Sequence, residues 1–469
     1  MDFTADHVWN APEDGIAVRS VALGSDAGRL TVRKTTRAAR GRLALAALVN
    51  THDHGYGLPP LAVGAPDDAL ECWIHGLANR PDIDPRLEAM VAFGRMALSG
   101  IGTTVHFHNS GRRDRVVEEA ARVAEAAEAV GIRVAFSSPI ADRNPVVYGD
   151  DAQLAALGFV ASGTPPVYPP GAEQIAAAKA VAAAHGSATF NVQLGPIGPQ
   201  WCLPETLEAI AEASAATGMR VQMHLLETER QRQYLDALWP EGPVRRLDAM
   251  GLLSPRLTVA HGVWLREDEC ALLAERGVTV AVNSSSNLRL RSGIAPVAHF
   301  LAADLNFGLG LDGGGLDDDQ DMFRELSLFQ RLQSGMGLVH EMPVERVLAA
   351  ALRGGFRAFD GSHDYGRLQD GARADVAILD LTRIREDILH DTVPLGDVVI
   401  TRARRRDVRD LMVAGRRVVE DGRLVGFDFA AAEAELIAQA RQRSPAVDAG
   451  RQHTNREAIR RYYLDGRHL

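Results

Sequence analysis

The segment Asn50-Thr51-His52-Asp53-His54 sets two imidazoles two residues apart. On an extended chain such a pair points the same way and can grip one ion. Three more candidate donors follow far along the chain: His224 after Gln222-Met223, His261 after Val259-Ala260, and Asp312 after Gly310-Leu311. Neutral imidazoles together with a carboxylate are the donor set that Zn2+ or Fe2+ prefers. Any one of these histidines alone reads more readily as a hydrogen-bonded core or loop residue. The set reads differently, because every member closes a short apolar run. Glu227, three residues after His224, stands where a strand would turn into a helix. A glutamate there is common for reasons of helix polarity alone. Beside a metal-acidified water, whose pKa falls to about 7, a buried glutamate also suits proton transfer, and the proximity of His224 favours that role.

A second His-x-His, His106 and His108, closes another run and would face the same rim. Lining a substrate pocket and an ordinary loop role are equally compatible with it, and a second metal is a poorer fit. Gln193, Trp201 and Trp264 occupy comparable places and are candidates to select a substrate, although tryptophans there are also ordinary packing.

These residues need a scaffold, and the chain supplies a repeating one. Eight short apolar runs, at Leu43–Val49, Thr103–Phe107, Ile132–Phe136, Ala188–Gln193, Arg220–Met223, Leu257–Ala260, Val278–Val282 and Phe307–Leu311, alternate with helical stretches. Continuous apolar strands without strict alternation suit a parallel sheet covered on both faces. Repeated right-handed crossovers close such a sheet into a (β/α)8 TIM-type barrel, which carries its chemistry at the C-terminal strand ends. An open doubly wound sheet is the alternative, but no GxGxxG follows the first run. Residues 1–42 and 365–428 read as short strands with Gly and Asp turns, too few at either end to bury a face. Together they would make one small β-sandwich from both termini, flanking a barrel over residues 43–364. Residues 429–469 form an Ala-, Glu- and Arg-rich helical tail, expected to pack on the barrel or on a second subunit.

Composition narrows the function classes. The chain is 46% hydrophobic and 24% charged, as in ordinary globular proteins. A net charge of -10 disfavours nucleic acid and anionic membrane as partners, which require a clustered basic face. Three scattered cysteines, no CxxC and an acidic, polar N-terminus point to a cytoplasmic protein.

At Leu48-Val49-Asn50-Thr51-His52-Asp53-His54, Met223-His224-Leu225-Leu226-Glu227-Thr228, Ala260-His261-Gly262-Val263-Trp264-Leu265 and Leu311-Asp312-Gly313 the chain resembles the amidohydrolase superfamily. The similarity is to the branch of cytosine, guanine and S-adenosylhomocysteine deaminases and triazine hydrolases, and it extends from Leu48 to about Leu424. The resemblance implies that His52, His54, His224 and Asp312 hold one divalent metal ion, zinc or iron. It also implies that His261 polarises the attacked group or orients the water, that Glu227 shuttles protons, and that Asp312 accepts the proton of the water. Relatives with two metals bridge them by a carboxylated lysine at the fourth strand end. This chain has only Lys34 and Lys179, neither at that place, so one metal is expected. The seventh strand end departs from the usual pattern, reading Asn283-Ser284-Ser285-Ser286, and Gly313-Gly314-Gly315 after the aspartate is unusual.

The expected function is hydrolytic deamination of a small amino-substituted nitrogen heterocycle (purine, pterin, pyrimidine or triazine) by a homo-oligomer, in the simplest case a dimer. Cleavage of a cyclic amide, or displacement of another leaving group, is the alternative for the same machinery. A non-catalytic metal-binding scaffold is disfavoured, since it would need neither Glu227 nor His261.

Overall fold

The computed structural model describes residues 2–36, 40–110, 112–143, 146–161, 168–335, 338 and 342–469. Among the described residues sixteen strands form two sheets. The barrel sheet holds β5 (Leu48–Asp53), β6 (Ile101–Phe107), β7 (Arg133–Ile140), β8 (Phe190–Pro196), β9 (Val221–Leu225), β10 (Leu257–His261), β11 (Thr279–Val282) and β12 (Asn306–Leu309). Neighbours pair in sequence order and all pairs are parallel. Every residue of β5, β6, β7, β9, β10 and β11 is buried, which explains the unbroken apolar runs.

Helices cover the outside, among them Pro85–Leu98, Val116–Val130, Gly171–His185, Pro204–Thr217 and Met322–Gln333. Local chemistry fixes their ends. Asp321 caps the last of these by accepting from the N–H groups of Phe323 and Arg324, and Gly131 ends the second with φ at +91°.

The ring closes between β12 and β5 at its C-terminal rim. Asp53 and Asp312 form a parallel bridge, His54 N–H donates to the Asp312 carbonyl at 2.7 Å, and Asp312 N–H donates to that of His52 at 3.0 Å. The Asn50 side chain continues the seam by accepting from Leu311 N–H at 3.0 Å. Gly310 belongs to the same join: a Cβ there would lie 2.8 Å from the His52 carbonyl oxygen.

The second sheet is one ladder built from both termini: β1 (Phe3–Trp9), β2 (Ile16–Asp26), β3 (Arg29–Lys34), β4 (Arg42–Ala46), β13 (Val376–Asp380), β14 (Val408–Val413), β15 (Arg416–Glu420) and β16 (Arg423–Leu424), in the order β16-β15-β14-β13-β4-β1-β2-β3. The run Leu43–Val49 does not form one barrel strand. It divides at Ala47, with Arg42–Ala46 antiparallel to β13 and Leu48–Asp53 opening the barrel. Continuous hydrophobicity conceals the division, because both halves are buried.

The tail forms two helices, Phe429–Arg443 and Ala449–Leu464, that pack on the same chain's barrel. Leu436 of the first lies among Leu58, Ile83 and Val91, while Ile459, Tyr462 and Tyr463 of the second lie among Cys72, Val147, Tyr148 and Leu154. Among the described residues no helix is long and apolar enough to cross a membrane.

Candidate metal centre and cavity

The C-terminal rim gathers the histidines and the aspartate. Ligand atoms of His52, His224, His261 and Asp312 lie within 4.8 Å of one another, all from buried residues. His54 adjoins the foursome without belonging to it. Its Nε2 is 3.2 Å from Asp312 Oδ1 and 3.3 Å from His224 Nε2. His52 Nε2 is 3.1 Å from Asp312 Oδ1. The strand period explains the convergence of His52 and His54, and the parallel register of β9 and β10 sets His224 opposite Ala260, one place from His261.

The outer face of each ring is occupied. Nδ1 of His52 meets Gln222 Oε1 at 3.2 Å, Nδ1 of His54 the Phe107 carbonyl at 3.1 Å, Nδ1 of His224 the Ile197 carbonyl at 2.7 Å, and Nδ1 of His261 Asn287 Oδ1 at 2.8 Å. Four oxygens thus fix the proton on Nδ1 and leave the Nε2 lone pairs facing inward, as ligation requires. Burial drives the His52 imidazole down to about 4 against the pull of Asp312, and holds His224 well below its ordinary value, so both stay neutral. Burial opposes the charge on Asp312, but the imidazoles of His52 and His54 beside it hold its carboxyl well below the carboxylate range. Ser286 Oγ–H donates to Asp312 Oδ2.

His52 Nε2 and Asp312 Oδ1 have no hydrogen bond of acceptable geometry among the described residues, although both are buried. Unsatisfied polar atoms aimed at a common point are costly unless something else binds them. A divalent ion fits this donor set in chemistry and in spacing.

Leu226 (φ 50°), His261 (φ 72°) and Asp312 (φ 60°) hold left-handed backbone without being glycine. Such conformations cost energy and persist where surrounding bonds enforce them. The turn at Leu226 brings Glu227 over the centre, with Oε2 at 3.6 Å from His261 Nε2 and Oε1 accepting from Ser292 Oγ at 3.2 Å. Burial raises the Glu227 carboxyl to about 7, despite the nearby His261.

A cavity of about 1040 Å³ opens above this centre. His54, His224, Glu227, His261 and Asp312 form its floor, and Tyr56, Glu71, Trp73, Tyr148, Trp201 and Tyr463 are among its walls. Trp201, a candidate from the sequence, borders the cavity. Trp264 and Gln193 do not. Trp264 is partly exposed and donates its indole N–H to the Ser292 carbonyl at 2.9 Å. Strand β8 runs on to Pro196, which leaves Gln193 in mid-strand, donating to the Ala358 carbonyl at 2.9 Å. His106 and His108 border the cavity, but their rings engage each other at 3.2 Å, and His108 Nε2 meets Glu119 Oε2 at 2.9 Å. Phe107 between them packs on His52, His54 and His224 instead. Strand alternation turns one parity to the centre and the other away.

Gln222, Ser286, Asn287 and Ser292 were not singled out from the sequence. Gln222 carried a readable signal, since it lies two residues before His224 and so shares its strand face. The other three meet their partners across long sequence separations, so no local pattern gives their roles.

The amidohydrolase family model matches residues 43–418. The chain belongs to the amidohydrolase family. It is 34% identical over 52% of its length to a 5-methylthioadenosine/S-adenosylhomocysteine deaminase of Moorella thermoacetica, covering 56% of that protein. It is 35% identical over 56% of its length to an 8-oxoguanine deaminase of Pseudomonas aeruginosa, covering 57% of that protein. The match thus spans a little over half the length of these curated relatives. Across 98% of both chains it superposes on a zinc-bound adenosine deaminase of Xanthomonas campestris with a TM-score of 0.74 and 24% identity, a likeness of fold. This amidohydrolase has a divalent-metal site at the rim of its barrel.

Proposed function

We propose that this amidohydrolase deaminates an amino-substituted nitrogen heterocycle with one zinc ion held by His52, His54, His224 and Asp312. The observation that carries the reading is Glu227, buried over the inward-facing imidazoles at 3.6 Å from His261 and kept protonatable near neutrality. An ion held among nitrogen donors and one carboxylate suits zinc, which would acidify water to near neutrality.

The chain's residues divide the remaining work. Glu227 delivers a proton to the ring nitrogen beside the attacked carbon, which makes that carbon electrophilic. Asp312 accepts a proton from the attacking water. His261, its Nδ1 held by Asn287, presents Nε2 to the attacked group. Water adds to the carbon, the C–N bond breaks, and the amine leaves as ammonia with protons relayed through Glu227. The ring is left as the carbonyl tautomer.

The cavity exceeds what a bare ring fills, so an amino heterocycle bearing a further substituent is the favoured class, with purines foremost given the names of the relatives. Trp201 and the neighbouring tyrosines offer aromatic faces to it. Zinc-loaded protein incubated with aminated purines, pterins, pyrimidines and triazines is expected to release ammonia from at least one. A ring-opened acid without ammonia would overturn the deaminase assignment and leave a cyclic-amide hydrolase.

A further inference from the structure

The tail does more than cover the barrel, because its second helix reaches the loop that carries Glu227 through hydrogen bonds joined across the bodies of Gln231 and Tyr148. Glu227 N–H donates to Gln231 Oε1 at 2.8 Å. Gln231 Nε2 donates to the Tyr148 hydroxyl at 3.2 Å. Tyr148 N–H in turn donates to the hydroxyl of Tyr463, in the helix Ala449–Leu464, at 3.0 Å.

Gln231 is fully buried in the first turn of the helix Glu229–Leu238. Its amide joins neither that helix nor the apolar core, and serves the Glu227 backbone at one end and Tyr148 at the other. The loop needs such a restraint, because Leu226 is held in left-handed backbone immediately before Glu227. The contact is reinforced beyond the relay: the Tyr148 ring packs on Tyr234 and Tyr463, and His468 Nε2 lies 2.9 Å from Gln233 Oε1 on the same short helix.

We propose that Gln231, Tyr148 and Tyr463 are positioning residues, through which the carboxy-terminal helix fixes the backbone of Glu227 and hence its carboxylate over the reacting carbon. The proposal rests on the reading of Glu227 as the proton-transfer group. It makes residues 449–469 part of the catalytic apparatus, although they lie more than two hundred positions from Glu227 in sequence.

The test uses Tyr463→Phe and Tyr148→Phe in the full zinc-loaded chain. Each keeps its ring and packing and removes one hydroxyl of the line. Hydrogen–deuterium exchange over residues 224–231 should quicken in both variants while β5 and β6 stay as in the parent. Against whichever heterocycle the parent deaminates, kcat should fall about tenfold, as expected of a displaced catalytic group, with KM within about twofold and metal content unchanged. The double variant should lose less than the two singles together, because both break one line. Unchanged exchange at 224–231 overturns the relay whether or not a substrate is known. Lost substrate affinity with unchanged kcat also overturns it, since that marks the tyrosines as mere cavity walls. Quickened exchange in a protein that deaminates nothing supports the relay as structure and ends the deaminase assignment alone.

Discussion

His54 and Asp312 are joined twice, once by backbone, with N–H to carbonyl at 2.7 Å, and once by side chain, with Nε2 to Oδ1 at 3.2 Å. The bond that closes the barrel and the approach that builds the metal centre therefore share the same two residues. Loss of the ion should loosen the seam, and a damaged seam should release the ion. Chelation is expected to lower the melting temperature, and added zinc to restore it. At a thousandfold excess over Kd the binding contributes about 4 kcal/mol. His224→Ala should show little of this response. Calorimetry with and without chelator checks both, and a parent whose melting ignores chelation would refute the assignment of the centre.

Glu227→Gln preserves shape and retains the backbone bond to Gln231, but it cannot take up and release a proton. Ammonia release should fall by about 10²- to 10⁴-fold, with one metal still bound. Parallel measurement of turnover and metal content decides it, and turnover near the parent's would remove Glu227 from the chemistry.

Gln222 holds the outer nitrogen of His52 at 3.2 Å and also donates to the Thr51 carbonyl at 2.9 Å. Gln222→Ala leaves all the proposed metal ligands in place while freeing the ring to turn. Zinc affinity should drop about 10- to 100-fold, whereas kcat at saturating zinc should change far less. Competition against a chromophoric chelator reads the affinity directly.

Glu325 supplies a pH test on a carboxyl that takes no part in the proposed chemistry. It is buried, accepts from Ser285 N–H at 3.1 Å, and burial pushes its carboxyl up to about 7. Because the folded value lies above the unfolded one, the stability this group contributes is complete below about pH 4.5 and is lost as pH rises through 7. The loss approaches about 3 kcal/mol in the limit. Glu325→Gln keeps an acceptor for Ser285 and should flatten that slope, becoming the more stable form at pH 8. Urea midpoints of parent and variant at pH 5 and pH 8 measure it, and parallel slopes would contradict the prediction.

What could be read from the sequence follows a physical division. Strands buried on both faces are largely apolar, so the eight runs were visible, and histidines closing them stood out because packing has no use for them there. Parity and length were harder to see. Gln193 looked terminal only because β8 continues through Leu194, Gly195 and Pro196. His106 and His108 read as pocket lining or as an ordinary loop pair; both border the cavity, but Phe107 holds the parity that faces the centre. The roles of Asn287 and Ser292 in holding His261 and Glu227 could not be read, since only the folded ring brings them near.

The division of one apolar run at Ala47 has a mechanical consequence. Arg42–Ala46 is stitched into the terminal sheet, and Leu48–Asp53 begins the stave that ends in His52, with the Ala47 carbonyl pinned by the Tyr365 hydroxyl at 2.8 Å. Ala47 alone separates the two strands. The first imidazole lies five residues beyond that join, so the terminal sheet anchors the strand that presents it, and the two sheets should melt as a single unit.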